Sequence, residues 1–209
     1  MFEVINDYGK SALHLKDCLS KEECDRLIEF GKLNPIEKRI GYAEVAGGRY
    51  LESSANITLE KNKDLLNLLH QRTLEAAKIY LNKHQLDPSL YEFNTTNKNK
   101  VSFTIKTWKI GGFIGHHIDS YKYNDGTSVQ PEISVIVYLT DNFVGGDLVL
   151  LSADDCIDGK LVNHNENLDQ IIKPIAGSMV VIDSRVLHKV TRVVSGTRIS
   201  TDVAIHLCE

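Results

Sequence analysis

His117-Ile118-Asp119 places an imidazole and a carboxylate two residues apart. Successive side chains of an extended segment alternate faces, so both groups point the same way and offer two ligands to one metal ion. The pattern by itself is common by chance, and it gains weight from residues near the other end of the chain. His188 follows the turn Ile182-Asp183-Ser184-Arg185, and Arg198 comes ten positions later at the start of an alternating run. Two histidines and one carboxylate on neighbouring strands form a facial triad, which leaves three positions open on Fe(II) for a chelating keto acid and then dioxygen. Arg198 shares its face with Ser200 and Asp202, while Ile199, Thr201, Val203, Ile205 and Leu207 occupy the other. With helices covering the apolar face, Arg198 points into the barrel, where a guanidinium needs a carboxylate partner. A dicarboxylate co-substrate would supply one.

The elements that must position these residues are legible in outline. Ser20-Lys21-Glu22-Glu23 has the form of a capping box, and Cys24, Leu27, Ile28 and Phe30 follow at helical intervals, which predicts a helix over Lys21–Leu33. A second amphipathic stripe runs through Leu65, Leu66, Leu69, Thr73, Ala76, Ala77 and Tyr80, predicting a helix from Asn62 to about Lys83. Between them, residues 34–58 hold Gly41, Gly47 and Gly48 and turn β-like near Ala55, as expected of a mobile segment, a lid or a plain surface loop, leading into a strand. Arg49 and Tyr50 there, with Tyr121, Lys122 and Tyr123 further on, are candidate substrate contacts. Strand-like runs follow at 101–108, 113–119, 133–140, 147–151, 170–175, 178–182, 187–194 and 198–207. Two helices followed by eight short strands without helical crossovers predict a mainly β, α+β fold. It is expected to be a double-stranded β-helix, or jelly roll, with the helices on one outer face. One domain is expected over residues 1–209, with a helical cover over about 1–95 and the jelly-roll core over about 96–209. Residues 153–169, rich in Asp, Asn and Gly, read as a long hairpin insertion.

Composition excludes several classes. The 209 residues carry a formal net charge of -4, which disfavours nucleic acid as a partner. No apolar run approaches the roughly 18–20 residues that span a bilayer, and Met1-Phe2-Glu3-Val4 does not open a signal peptide. Cys18, Cys24, Cys156 and Cys208 form no Cys-x-x-Cys pair, so reduced thiols and a cytoplasmic location are expected. Of the other histidines, His116 should face away from His117 and lie exposed; His14, His70, His84, His164 and His206 lack a partner at a useful spacing. Gly111-Gly112 reads as close strand packing, since no helix opens behind it.

Further segments carry a resemblance. Trp108-Lys109-Ile110-Gly111-Gly112 lies nine residues before His117, and Tyr138-Leu139-Thr140-Asp141 precedes Gly145-Gly146-Asp147-Leu148. Ile175–Asp183, Leu187–Val193 and Gly196-Thr197-Arg198 complete the set, and Asp17–Cys24 fits an entry to the first helix. Together with His117, Asp119, His188, Arg198 and Ser200, these segments resemble the Fe(II)- and 2-oxoglutarate-dependent dioxygenases. The prolyl 4-hydroxylase-like branch is the nearest, and the bacterial PKHD-type hydroxylases are particularly close. The resemblance spans Leu15 to His206.

It implies Fe(II) held by His117, Asp119 and His188, with 2-oxoglutarate and O2 as co-substrates. Arg198 and Ser200 would bind the distal carboxylate of 2-oxoglutarate, and Trp108 stands where the branch usually has a co-substrate-contacting Tyr. The implied reaction hydroxylates an unactivated C–H bond of an amino-acid or peptidyl side chain, prolyl first, and releases succinate and CO2. The alternatives are a non-catalytic jelly-roll or cupin binding module and a small-metabolite hydroxylase of the same family. A halogenase is disfavoured because Asp119 fills the position a halide would need, and an AlkB-type demethylase because Ala204 stands where a second arginine is expected. Collagen-type prolyl hydroxylases usually carry Lys in place of Arg198, so a collagen-like substrate is not implied.

Overall fold

In the computed structural model the described residues are 2–35, 49–50, 53–87, 91–92, 102–119, 121–122, 128–157 and 160–207. In chain order the elements are β1 (Glu3–Asp7), β2 (Ala12–Lys16), α1 (Lys21–Leu33), β3 (Arg49–Tyr50), β4 (Ser53–Thr58) and α2 (Leu59–Lys83). They continue with β5 (Tyr91–Glu92), β6 (Ser102–Trp108), β7 (Phe113–His117), β8 (Tyr121–Lys122), β9 (Ser128–Val129), β10 (Ile133–Tyr138) and β11 (Leu148–Leu150). The last are β12 (Asp155–Ile157), β13 (Lys160–Val162), β14 (Gln170–Ile172), β15 (Met179–Asp183), β16 (His188–Val190) and β17 (Arg198–Leu207). No helix among the described residues is long and apolar enough to cross a membrane.

Two antiparallel sheets form the jelly roll. The larger has eight strands, ordered β1-β2-β15-β10-β17-β6-β4, with β5 paired to β17; the smaller has five, ordered β14-β11-β16-β7-β3. β10 and β15, inside the larger sheet, are buried on both faces, which is why they read as almost unbroken apolar runs. Ile133, Val135, Val137, Met179, Val181, Ile199, Val203 and Ile205 pack outward against Leu27 and Phe30 of α1 and Leu65, Leu66 and Leu69 of α2. Ala12, Tyr138, Val180 and Ile182 face inward and meet Leu148, Leu150 and Ile172 of the smaller sheet. β17 sits centrally with Ile199, Val203 and Ile205 among the helices, so Arg198, Ser200 and Asp202 enter the barrel.

Ser20 caps α1 by accepting from Glu23 N, while the Glu23 side chain accepts from Ser20 N, completing the expected capping box. α2 is kinked near its start: Asn62 departs from helical geometry (φ -160°, ψ 89°) and its side chain accepts from Leu65 N. Asn62 therefore acts as an internal cap, and regular helix begins after it, where the sequence places the start. All eight expected strand runs are present, several of them shorter. The N-terminal region expected to be helical cover also supplies β1 and β2, the edge of the larger sheet. β1 is exposed and shows no alternation, and β2 is buried along both faces, so neither carries a period-2 signal. The 153–169 insertion contains the β12–β13 hairpin. Most of the expected lid, and Tyr123, lie outside the described residues.

Candidate active site

His117 ends β7, and His188 opens β16; the two are direct Cα partners in the antiparallel pairing. Their rings lie 4.1 Å apart between centroids. Asp119 is not in the strand as expected, because β7 stops at His117; its backbone N donates to Ser184 O at 3.0 Å, which fixes the chain beyond the strand end. From there Asp119 Oδ1 lies 3.6 Å from His117 Nε2 and 3.7 Å from His188 Nε2. The three candidate ligand atoms all lie within 4.8 Å of one another.

The histidine tautomers follow from their other nitrogens. His117 Nδ1 donates to Gly115 O at 2.9 Å and His188 Nδ1 to Val186 O at 2.8 Å, each reaching the carbonyl two residues earlier. Both Nε2 atoms then carry lone pairs toward Asp119, the arrangement that metal-binding histidines require. Burial, with His188 second, pulls the His117 pKa down to about 4, while Asp119 acts in the opposite direction. The donor set of two neutral imidazoles and one carboxylate, on one edge of a barrel interior, fits ferrous iron.

Arg198 is 2% exposed and lies on the same interior, paired through its Cα with Trp108. Its Nε donates to Gly146 O at 3.1 Å and its Nη1 to Ser200 Oγ at 2.7 Å. Arg198 Cζ stands 5.3 Å from the Tyr138 ring centroid and 5.8 Å from that of Trp108, within cation–π range. Burial pulls its pKa downward, and no carboxylate among the described residues pairs with it. The Tyr138 hydroxyl is buried beside it and makes no hydrogen bond within 3.5 Å among the described residues, with the guanidinium near enough to act on it as charge and donor. Burial raises its pKa to about 12, with the Arg198 charge acting against the rise. A buried cation and a buried unpaired hydroxyl converging on one point fit the distal carboxylate of a dicarboxylate ligand.

The family model for the 2OG-Fe(II) oxygenase superfamily matches residues 103–206, which contain the triad and Arg198. By that match the chain is a 2-oxoglutarate-dependent oxygenase. Among curated proteins, this oxygenase is 27% identical over 194 residues to a PKHD-type hydroxylase of Aliarcobacter butzleri, covering 89% of this chain and 74% of that one. Its fold is similar to the viral collagen prolyl hydroxylase of Paramecium bursaria Chlorella virus-1 in complex with 2OG. That match has a TM-score of 0.60 at 22% identity and covers 94% of this chain and 96% of that one. It is also similar to a prolyl-4-hydroxylase of Pseudomonas putida, with a TM-score of 0.56 at 15% identity, covering 96% and 94% of the two chains. The cofactors of the oxygenase are Fe(II) and 2-oxoglutarate with O2, and its fold is similar to that of the prolyl hydroxylase structures.

The other sequence expectations distribute as follows. Ser200 and Trp108 join the Arg198 cluster. Arg49 and Tyr50 form β3, paired through their Cα atoms with Ile114 and Phe113 beside the triad strand, and Tyr121 pairs with Val129. His116 is half-buried rather than exposed, because β7 is partly covered along its whole length. His164 does have a partner: its Nε2 lies 3.0 Å from Asp169 Oδ1, closing the base of the insertion five residues along. Gly111 N donates to Val193 O at 2.8 Å, in keeping with close packing at the β6–β7 turn. Cys18 and Cys24 are free and buried, and burial raises their thiols to about 12 and about 11. Sequence reasoning gave no role to Tyr138 or Gly146. The signal for Tyr138 was its even-numbered phase with Ile136 in β10, which marks it as inward-facing.

Proposed function

We propose that this oxygenase hydroxylates an unactivated C–H bond of an amino-acid or peptidyl side chain, prolyl first. In this reading His117, Asp119 and His188 hold Fe(II), and Arg198 with Ser200 and Tyr138 binds the distal carboxylate of 2-oxoglutarate. The observation that carries it is Arg198, a buried cation without a protein carboxylate among the described residues, in the barrel that holds the triad.

Bound iron and 2-oxoglutarate supply an oxidant that, with one O2, converts a substrate C–H to C–OH and releases succinate and CO2. The chain's own residues prepare that chemistry. Gly115 O and Val186 O each accept from an imidazole Nδ1, which orients both rings so that Nε2 is presented toward Asp119. Gly146 O and Ser200 Oγ fix the guanidinium plane before a ligand arrives, which reduces the orientation lost on binding. Trp108 and Tyr138 wall off the guanidinium from water, so a charge-assisted contact there acts in a medium of low polarity. The prolyl assignment draws on the PKHD-type relative and on the prolyl hydroxylase folds.

Purified protein loaded with Fe(II) and given 2-oxoglutarate in air tests the reading. Release of succinate in step with O2 uptake, increased by proline or a prolyl peptide with a mass gain of one oxygen in that compound, is expected. Absence of any 2-oxoglutarate consumption overturns it.

A further inference from the structure

β17 presents Arg198, Ser200 and then Asp202 to the barrel interior, and β6 presents Lys106 alongside, as the Cα partner of Ser200. Lys106 Nζ donates to Asp202 Oδ1, and the two side chains are 19% and 25% exposed. The pair shares the interior face of β17 and β6 with Ser200, the hydrogen-bond partner of Arg198, in the barrel that holds the triad. Neither residue belongs to the metal-ligand cluster, and neither hydrogen-bonds Arg198. Each makes one hydrogen bond among the described residues, although an ammonium has three donors and a carboxylate accepts several bonds.

Stability gives little reason for this pair. A largely buried ion pair loses most of its Coulomb gain to desolvation, and apolar side chains of the same volume serve a core as well or better. The same wall accommodates such a side chain in Ile136, which is the Cα partner of Asp202 and packs inward. Two opposite charges with unused bonding capacity, held side by side in the barrel that holds the triad, match a ligand that carries the same two charges.

We propose that Lys106 and Asp202 form the subsite for the α-carboxylate and α-ammonium of a free amino-acid substrate. The zwitterion exchanges one ion pair for two, so no net charge enters the barrel and no charge is left unpaired. A residue within a peptide has neither charge and leaves the Lys106–Asp202 pair closed. This inference rests on the proposed function for the position of the reacting C–H bond and narrows its substrate class to free amino acids.

The test uses protein loaded with Co(II) and 2-oxoglutarate under nitrogen, with the Co(II) absorption spectrum reporting displacement of a metal ligand when substrate binds. The panel is the common free L-amino acids, with the N-acetyl derivative and the amide of each. At least one free amino acid should perturb the spectrum, with its N-acetyl and amide derivatives binding roughly tenfold or more weakly, about 1.4 kcal/mol. Lys106→Met should weaken the free amino acid about tenfold and leave its amide almost unaffected; Asp202→Asn should weaken the free amino acid and spare the N-acetyl derivative. This selectivity separates recognition from a structural role, which would shift all ligands alike. Equal shifts, equal binding of blocked and free forms, or no response to any free amino acid overturns the subsite. If 2-oxoglutarate itself leaves the Co(II) spectrum unchanged, the proposed function fails first and the subsite falls with it.

Discussion

His117 and His188 face each other across the β7–β16 pair, and each donates its Nδ1 hydrogen to a carbonyl two residues back in the chain. Because the same short-range bond sets both rings, their Nε2 atoms converge on Asp119 without help from a distant side chain. The metal-binding geometry is therefore a property of two strand ends and one backbone bond, Asp119 N to Ser184 O.

The triad should bind one divalent ion. Titration of the apo-protein with Mn(II), followed by calorimetry, is expected to show a single site, and Co(II), Ni(II) and Zn(II) should occupy it as well. Asp119→Ala or His188→Ala should cost more than the roughly 10–100-fold in affinity that loss of an outer hydrogen-bond partner costs. Metal should also raise the unfolding temperature of the native sequence, by mass action, and leave that of either variant unchanged. Unaltered Mn(II) affinity in both variants contradicts the assignment.

Arg198→Met keeps the volume and removes the charge. The half-saturating concentration of 2-oxoglutarate should rise by one to three orders of magnitude, from loss of a charge-assisted contact of about 2–4 kcal/mol. Mn(II) affinity should stay within about twofold, because no triad atom bonds to Arg198. Equal 2-oxoglutarate dependence in the two proteins would remove Arg198 from the co-substrate site.

Tyr138→Phe separates a ligand contact from a structural one. The hydroxyl has no hydrogen-bond partner among the described residues, so its removal should leave the denaturation midpoint of the ligand-free protein unchanged or slightly raised. With 2-oxoglutarate present the variant should gain less stabilisation, reflecting affinity weaker by about tenfold, or roughly 1.4 kcal/mol. Chemical denaturation with and without 2-oxoglutarate reads both effects, and equal ligand stabilisation would take Tyr138 out of the site.

His14 supplies a pH prediction away from the metal. It is buried with Nε2 3.0 Å from Ser178 Oγ, and burial pulls its pKa from 6.5 to about 4. Between those values the unfolded chain takes up a proton that the folded chain refuses. The His14 contribution is therefore complete above pH 6.5 and is lost as pH falls toward 4, with a slope of up to about 1.4 kcal/mol per unit. His117 has the same sign in the metal-free protein, so the comparison is between metal-free native protein and metal-free His14→Gln. Urea midpoints from pH 7 to 4.5 should fall less steeply in the variant.

What was legible followed from strong local signals. The α1 capping box and the α2 stripe placed both helices, and the alternation in β17 put Arg198, Ser200 and Asp202 on one interior face. The triad was legible because its members lie at strand ends with fixed facing. What escaped depended on neighbours that no local pattern encodes. β1 and β2 show no alternation because one is exposed and the other buried on both faces, and Asp119 left the strand because Ser184 O captured its amide. The Lys106–Asp202 pair arises from a β6–β17 register that joins residues nearly a hundred positions apart.

Gly146 carries the last prediction, because its missing side chain is what lets Arg198 lie where it does. Its φ of +67° is a conformation that L side chains rarely adopt, and a Cβ there would meet Arg198 Cδ at 2.9 Å and Phe143 Cε2 at 3.0 Å. Gly146 O is also the acceptor for Arg198 Nε, so a backbone shift that relieves the clash moves the guanidinium's own anchor. Gly146→Ala should thus destabilise the fold by about 1–2 kcal/mol and also displace the cation. Its half-saturating 2-oxoglutarate concentration should rise by roughly tenfold or more while Mn(II) affinity stays close to native. Gly145→Ala is the control for strain alone: its Cβ would clash with Arg192 O, and its nearest neighbours belong to Arg192 and Val194 rather than Arg198. Unfolding curves and 2-oxoglutarate titrations on both variants distinguish the cases. If Gly145→Ala loses as much 2-oxoglutarate affinity as Gly146→Ala at equal stability loss, the effect is general loosening of the turn and Gly146 has no particular hold on Arg198.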